Sequence, residues 1–148
     1  MNALFQLVSE AEIELVIPLM REFYSQQEML FDETVARAAL KKVIVNPETG
    51  QVYLIFRGQE LAGYFVLTFC FSLEFHGKFA LLDELYLREP FRRQKLGRAA
   101  VEFAQRLCRE ARVKALRLEV GIPNTGAQSL YVAEGFKLDE RRLMTKWL

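Results

Sequence analysis

The run "EPFRRQKLGRAA" at residues 89–100 places Arg92, Arg93, Lys95 and Arg98 within seven positions, just ahead of a stretch of small residues. Leu96, Ala100, Phe103, Leu107 and Ala111 then recur at helical spacing, so the cations gather at a helix start. Such a start carries unpaired N–H groups and the positive end of the helix dipole, both suited to a phosphate. Gly97, Ala99 and Ala100 leave room for a ligand or another backbone to come close. A solvated basic loop would use the same residues, and the cluster alone does not choose. Neither GxGxxG nor GKS/GKT is present, so the dinucleotide and P-loop signatures both fail. Other reactive types are sparse. His76 is the only histidine, which argues against a Ser-His-Asp triad and against a zinc site; no metal is expected. Cys70 and Cys108 lie far apart, outside any CxxC pair, and read as free buried thiols.

Twenty Lys and Arg face nineteen Asp and Glu, a net charge of +1. A dedicated nucleic-acid binder carries a marked basic excess, because counterion release drives its affinity, so no nucleic-acid partner is expected. The longest apolar run, "LAGYFVLTFCF" at 61–71, falls short of the roughly 20 residues needed to cross a bilayer, so no membrane partner is expected either. The first ten residues hold no Lys or Arg and so no secretory n-region; with the unpaired cysteines, this points to the cytoplasm. The 148 residues suit a single domain, taken as 1–148.

The elements that must position the cluster follow from periodicity and punctuation. "LFQLV" (4–8) reads as a first strand. Ser9 with Glu12 three residues on makes a capping box for a helix over 10–27, with Pro18 expected to kink it. Asp32 caps a second helix that "NPETG" ends. "QVYLIFR" (51–57) and "ELAGYFVLTFCF" (60–71) flank "GQ", a tight hairpin turn. "FALLDELYL" (79–87) is a further strand, leading through the basic turn into the long third helix. "ALRLEV" (115–120) is a short strand, and "NTGAQSLYVAEG" a short helix closed by Gly135. "FKLDE" and "RLMTKWL" read as two final strands. The order β-α-α-β-β-β-α-β-α-β-β defines a mixed α/β domain whose clear βαβ unit spans 79–120.

Read together, "LLDELYL", "FRRQKLG", "LRLEV" and "NTGAQSLYVAEGF", in order over 81–136, resemble the GCN5-related N-acetyltransferase family. Asn124, Ala127, Leu130, Tyr131, Gly135 and Phe136 fit its later signature, N-x-x-A-x-x-L-Y-x-x-x-G-F. Arg92 and Gly97 fit its phosphate motif, Q/R-x-x-G-x-G/A, whereas Lys95 stands where glycine is usual. A helical φ at Lys95 would tolerate the side chain, and that conformation is expected, with cofactor affinity kept. A positive φ would cost about 1 kcal/mol or more.

The resemblance implies acetyl-CoA as cosubstrate. Backbone groups across Arg92, Arg93, Gln94, Lys95, Leu96, Gly97 and Arg98 would hold its diphosphate. Those of Leu85, Tyr86 and Leu87 would pair with the pantetheine arm in a gap between the strands 79–87 and 115–120. An N–H of Leu85 or Tyr86 would polarise the thioester. Asn124 would bond the arm or cap its own helix. Tyr131 matches the family's general acid, although a core aromatic on a short helix would show the same spacing. Glu119, Glu84 and Asp83 are the candidates for a base or water-positioning group. Tyr24, Phe31 and Glu84 would belong to an acidic, aromatic-walled acceptor cleft suited to a cationic amine. The expected reaction is acetyl transfer to a primary amine of a small molecule by direct attack in a ternary complex. A peptide or protein amine, or acyl-CoA sensing without catalysis, are the alternatives. The final strand could pair across a homodimer.

Overall fold

The computed structural model describes residues 2–148. Its elements are β1 (Ala3–Leu7), α1 (Ile13–Gln26), α2 (Glu33–Val45), β2 (Gly50–Arg57), β3 (Glu60–Ser72), β4 (Gly77–Leu87), α3 (Leu96–Glu110), β5 (Leu116–Leu118) and α4 (Thr125–Ala133). The expected capping side chains are in place, Ser9 and Glu12 on the 3-10 turn Glu10–Glu12 that leads into α1, and Asp32 on α2. Glu12 accepts from the Ser9 N–H at 2.7 Å and from its hydroxyl, and Asp32 accepts from the Val35 N–H at 3.1 Å. Gly135, at φ +92, closes α4: the Phe136 and Gly135 N–H groups donate to the carbonyls of Tyr131 and Val132, each at 3.0 Å. Pro18 lies inside α1, which runs on through it without a break.

The sheet has the order β1-β2-β3-β4-β5, antiparallel except for the parallel β4–β5 pair that α3 connects. Both its faces are covered, which explains why β2 and β3 read as almost unbroken apolar runs. On one face Tyr53, Ile55, Phe65 and Leu67 pack against Leu96, Ala100, Val101 and Ala104 of α3. On the other, Val52, Leu54, Tyr64 and Val66 meet Val16, Ile17, Leu19 and Met20 of α1 and Leu40 of α2. The β3–β4 pair is so close at Gly63 that a Cβ there would stand 1.9 Å from the Tyr86 carbonyl oxygen, so only glycine fits.

One irregularity positions the site. Val66 pairs with Glu84 but the next residue, Leu67, pairs with Leu82, leaving Asp83 as an extra residue on β4. The bulge flips the alternation. Ala80 and Leu82 face α3 before it, and Leu85 and Leu87 face α3 after it, while Glu84 and Tyr86 turn toward α1.

The two final strands expected over 136–148 do not form: beyond α4 the described chain has no strand. Leu138, Leu143, Met144, Trp147 and Leu148 are all exposed there. A strand needs a partner for its backbone groups, and within this chain 137–148 find no ladder. The first nine elements otherwise follow the expected order.

Candidate active site

β4 and β5 pair only at Ala80–Leu116, Leu81–Arg117 and Leu82–Leu118. β4 continues past the bulge to Leu87 while β5 stops, so the strands part company from Asp83 onward. The Arg88 N–H donates to Ala62 of β3 at 2.9 Å, and alternation then turns the main-chain groups of Leu85 and Leu87 away from β3, into that gap. A cleft opens here, lined by Phe23, Gln26 and Gln27 of α1, Leu85, Tyr86 and Leu87 of β4, Arg92, and Asn124 and Ala127 of α4. Of the two amides considered for a thioester, only that of Leu85 faces the gap; that of Tyr86 points to β3.

The basic turn reaches the cleft through Arg92. Arg93 and Lys95 both adopt left-handed conformations, at φ 60 and φ 65. The helical φ expected at Lys95 is therefore overturned: the chain must reverse sharply between the short helix Glu89–Phe91 and α3, and the two left-handed residues make that reversal. Lys95 occupies the N-cap position of α3 without a side-chain cap, so the first N–H groups of the helix have no side chain upon them. Alternating backbone signs of this kind make a concave row of amides that favours an anion.

The four cations have different surroundings. Arg98 is engaged by Glu134 at 2.7 Å and by Glu102 at 3.3 Å. Arg92 donates from Nε to the Leu87 carbonyl and from Nη2 to Gln26 Oε1, each at 2.8 Å, with its guanidinium over the Tyr86 ring. Arg93 and Lys95 have no acidic partner among the described residues. Gln94 instead braces the turn, donating to the Pro90 carbonyl at 2.7 Å and accepting from Arg57. Leu96 is fully buried, and Gly97 packs beside Leu130 and Leu87, joining α3 to α4 and β4.

Asn124 caps α4, its side chain accepting from the Ala127 N–H at 3.2 Å. Tyr131 lies one helical turn beyond Ala127, on the same face, with its ring edge-on to Phe136 at 5.9 Å. Burial pushes its phenol above the usual value.

On the α1 side of β4, Glu84 accepts from the Tyr64 hydroxyl at 2.7 Å and, on its other oxygen, from the Tyr24 hydroxyl. Burial raises its pKa, the two phenols oppose that rise, and the nearby Asp83 charge adds to it. Tyr24 meets Phe31 edge-on at 5.4 Å, and Arg21 lies over Phe31. Asp83 is raised too, first by desolvation and then by the negative charge of Glu119. The structure thus brings Tyr24, Phe31 and Glu84 together, and places Asp83 near Glu119. Tyr64 was missed in the sequence, where it sits inside an apolar strand run that hides a polar role. Glu22, one of the acidic residues the sequence offered for the acceptor cleft, is instead engaged by Arg88 through both oxygens, at 3.0 and 3.1 Å, and accepts from Tyr86, bolting α1 to β4. The Arg88 guanidinium holds the Glu22 carboxyl below its usual value.

His76, at the β3–β4 hairpin tip, adopts a left-handed turn conformation. Cys70 and Cys108 are both free thiols, and burial pushes Cys108 up to about 11. Among the described residues no cluster of three or more His, Cys, Asp or Glu could hold a metal, and no helix is long and apolar enough to cross a membrane.

Residues 13–136 match the profile of the acetyltransferase (GNAT) family. No curated protein matches the chain. Among solved structures, an integron cassette protein from the mobile metagenome of Cole Harbour Salt Marsh is 28% identical with a TM-score of 0.86, over 97% of this chain and 90% of that one. A protein described as "a probable acetyltransferase" is 24% identical with a TM-score of 0.83, over 100% and 98%. An aminoglycoside acetyltransferase from an uncultured soil metagenomic sample, solved with trehalose, shares 15% identity and a TM-score of 0.77, over 99% and 95%.

Proposed function

The chain belongs to the GNAT acetyltransferase family, and from that premise we propose that it transfers an acetyl group from acetyl-CoA to a primary amine of a small cationic molecule, by direct attack in a ternary complex. The observation that carries this reading is the opening of the β4–β5 pair at the Asp83 bulge, on the strand that leads through the basic turn to the uncapped start of α3.

Enzymes of this family use acetyl-CoA, which supplies the activated acetyl group. The residues present fit it. The Leu85 and Leu87 backbone faces an open gap that an extended amide-bearing arm can join as a strand would, with Asn124 across the cleft. The N–H groups from Arg93 to Arg98 suit a diphosphate, with Arg93 and Lys95 adding charge. The Leu85 N–H is the donor for a thioester carbonyl, a contact of a kind that can contribute about 3 kcal/mol in the transition state.

The acceptor amine approaches from the α1 side. An alkylammonium must lose a proton before attack, and Glu84 is placed to receive it directly or through water; Asp83 and Glu119 form a second acidic pair. Tyr131 gives a proton to the departing thiolate, and its raised pKa keeps the phenol protonated until that moment. Glu84, Tyr24 and Phe31 suit a cationic acceptor, the carboxylate by charge and the rings by their π faces. The free thiols fit a cytoplasmic setting. The homodimer expected from the sequence belongs to this reading as well.

Thiol release from acetyl-CoA across a panel of amines tests the proposal, together with calorimetry against coenzyme A. Turnover of a small polycationic or amino-acid-like amine is expected, and Tyr131→Phe should lower kcat by roughly 10²- to 10⁴-fold while the far-UV spectrum stays unchanged. A wild-type protein that takes up no coenzyme A removes the reading. An unchanged rate in Tyr131→Phe removes only the role of the phenol.

A further inference from the structure

The side of the sheet that faces α1 carries a cation that proton transfer does not use. Ala80 and Leu82 of β4 and Leu116 and Leu118 of β5 face α3. Alternation therefore turns Leu81, Arg117 and Glu119 to the other side, where Glu84 meets Tyr24 and Tyr64. Asp83 lies at the same end of this row, close enough for its charge to raise both phenols, and Glu119 raises Asp83 in turn. One end is thus acidic. Arg117 marks the other, while Lys78, the remaining cation of these two strands, lies over Phe69 on the α3 side.

Arg117 is held in place with donors to spare. Its guanidinium lies 4.6 Å from the Phe75 ring centre and 5.9 Å from that of Phe79, and the two rings meet each other at 5.0 Å. Asp139 accepts from Nη2 at 3.1 Å, and among the described residues Nε and Nη1 have no partner. Glu74, next to Phe75, is taken up by Arg141 at 2.7 Å. A planar fork already fixed by rings and one carboxylate loses little freedom on meeting a second, and at 37% exposure the side chain is within reach of a ligand.

The spacing sets the ligand. Arg117 stands opposite Leu81, which pairs with Thr68, whereas Glu84 pairs with Val66. Two residues along the sheet and one strand across it separate them, about 8 Å between Cα atoms. With a hydrogen bond at each end, that span suits an amine about four to six bonds from a carboxyl carbon.

We propose that Arg117 is a specificity-determining residue: it takes the carboxylate of the acceptor while the acceptor's amine lies at Glu84. The acceptor class is then a short amino-carboxylate whose amine stands at the far end of its chain, as in an ω-amino acid or lysine. An α-amino group lies too near its own carboxylate to reach both ends. A diamine would set its second ammonium against the guanidinium, which disfavours it. This assignment rests on the acetyl-transfer reading and narrows its acceptor.

Thiol release from acetyl-CoA with matched acceptors tests it. Each pair is an amino-carboxylate and the amine that lacks only the carboxylate, with lysine and its decarboxylated diamine among them. The wild-type protein should favour the carboxylate-bearing member by about 10- to 100-fold in kcat/KM, the range of one charge-assisted contact. Arg117→Gln should erase that preference, with the loss falling on KM for the amino-carboxylate. Arg117→Lys, which keeps the charge without the planar fork, should restore part of it. A wild type that favours the carboxylate-free members, or neither, overturns the assignment without any variant. Equal losses for both members in Arg117→Gln overturn it too, since the arginine then only ties the hairpin tip to β5. In both cases amines are still acetylated, and the acetyl-transfer reading stands. A protein that acetylates no amine refutes both.

Discussion

Replacing Lys95 with glycine should make this protein more stable, although it removes a side chain from a cationic cluster. Lys95 sits at φ 65, ψ 8, where the Cβ of an L-residue crowds the following carbonyl at a cost of about 1–2 kcal/mol. Glycine relieves that crowding but is freer in the unfolded chain, which returns about 0.4–1 kcal/mol. Lys95 has no ion-pair partner to lose among the described residues. The net gain is therefore on the order of 0.5–1 kcal/mol, a rise of about 1–4 °C in Tm for a chain of this size. Lys95→Ala is the control, for it removes the ammonium yet keeps the Cβ. Urea denaturation should place wild type and Lys95→Ala close together, with Lys95→Gly above both. If glycine and alanine prove equally stable, the backbone at 95 is not strained and the account of the turn is wrong. Coenzyme A titration of the same pair separates the roles in binding: a loss common to both variants belongs to the ammonium, and a difference between them to the backbone.

Glu84 ionises less readily folded than unfolded, so its ionisation costs stability as pH rises above the ordinary carboxylate range. Glu84→Gln should accordingly be more stable than wild type at pH 7, with the advantage fading below about pH 4, where both forms are neutral; urea midpoints across pH check this, and a constant difference would refute it. Amine turnover should fall in the same variant. Glu134, with a side chain only 8% exposed, and Glu102, at 57%, both pair with Arg98. Glu134→Gln should therefore cost more than Glu102→Gln, whose exposed pair is worth less than about 1 kcal/mol; equal losses in denaturation would show that burial of the Glu134 carboxylate does not strengthen its pair with the half-exposed Arg98. Gly63→Ala should cost more than about 4 kcal/mol or prevent folding, since its Cβ meets backbone at 1.9 Å; soluble expression with a near-native Tm would show that β3 and β4 can separate.

What could be read from the sequence was local chemistry. Ser9 with Glu12, Asp32, Asn124 and Gly135 declare the ends of helices because a cap or a left-handed closure involves residues only a few positions apart. The apolar runs of β2 and β3 announce strands buried on both sides. Registers and partners were hidden. Nothing in "LLDELYL" shows that Asp83 is an extra residue, since a bulge is defined against the opposite strand. Tyr64 looks apolar until Glu84, twenty residues on, is found against it. Lys95 has high helix propensity, and only the sharpness of the turn forces it left-handed. "RLMTKWL" has the pattern of a strand, and pattern alone cannot say whether an edge lies within reach.

The extra residue at Asp83 falls where β4 outlasts its pairing with β5. A substitution at 83 would change a charge and leave the geometry alone. A deletion there would make Leu82 and Glu84 neighbours opposite Leu67 and Val66, which are neighbours already, so both ends of β4 would keep their faces and register and only the bulge's local bend and added twist would go. The spare residue therefore bends the strand beside the gap without deciding which of its side chains face α1.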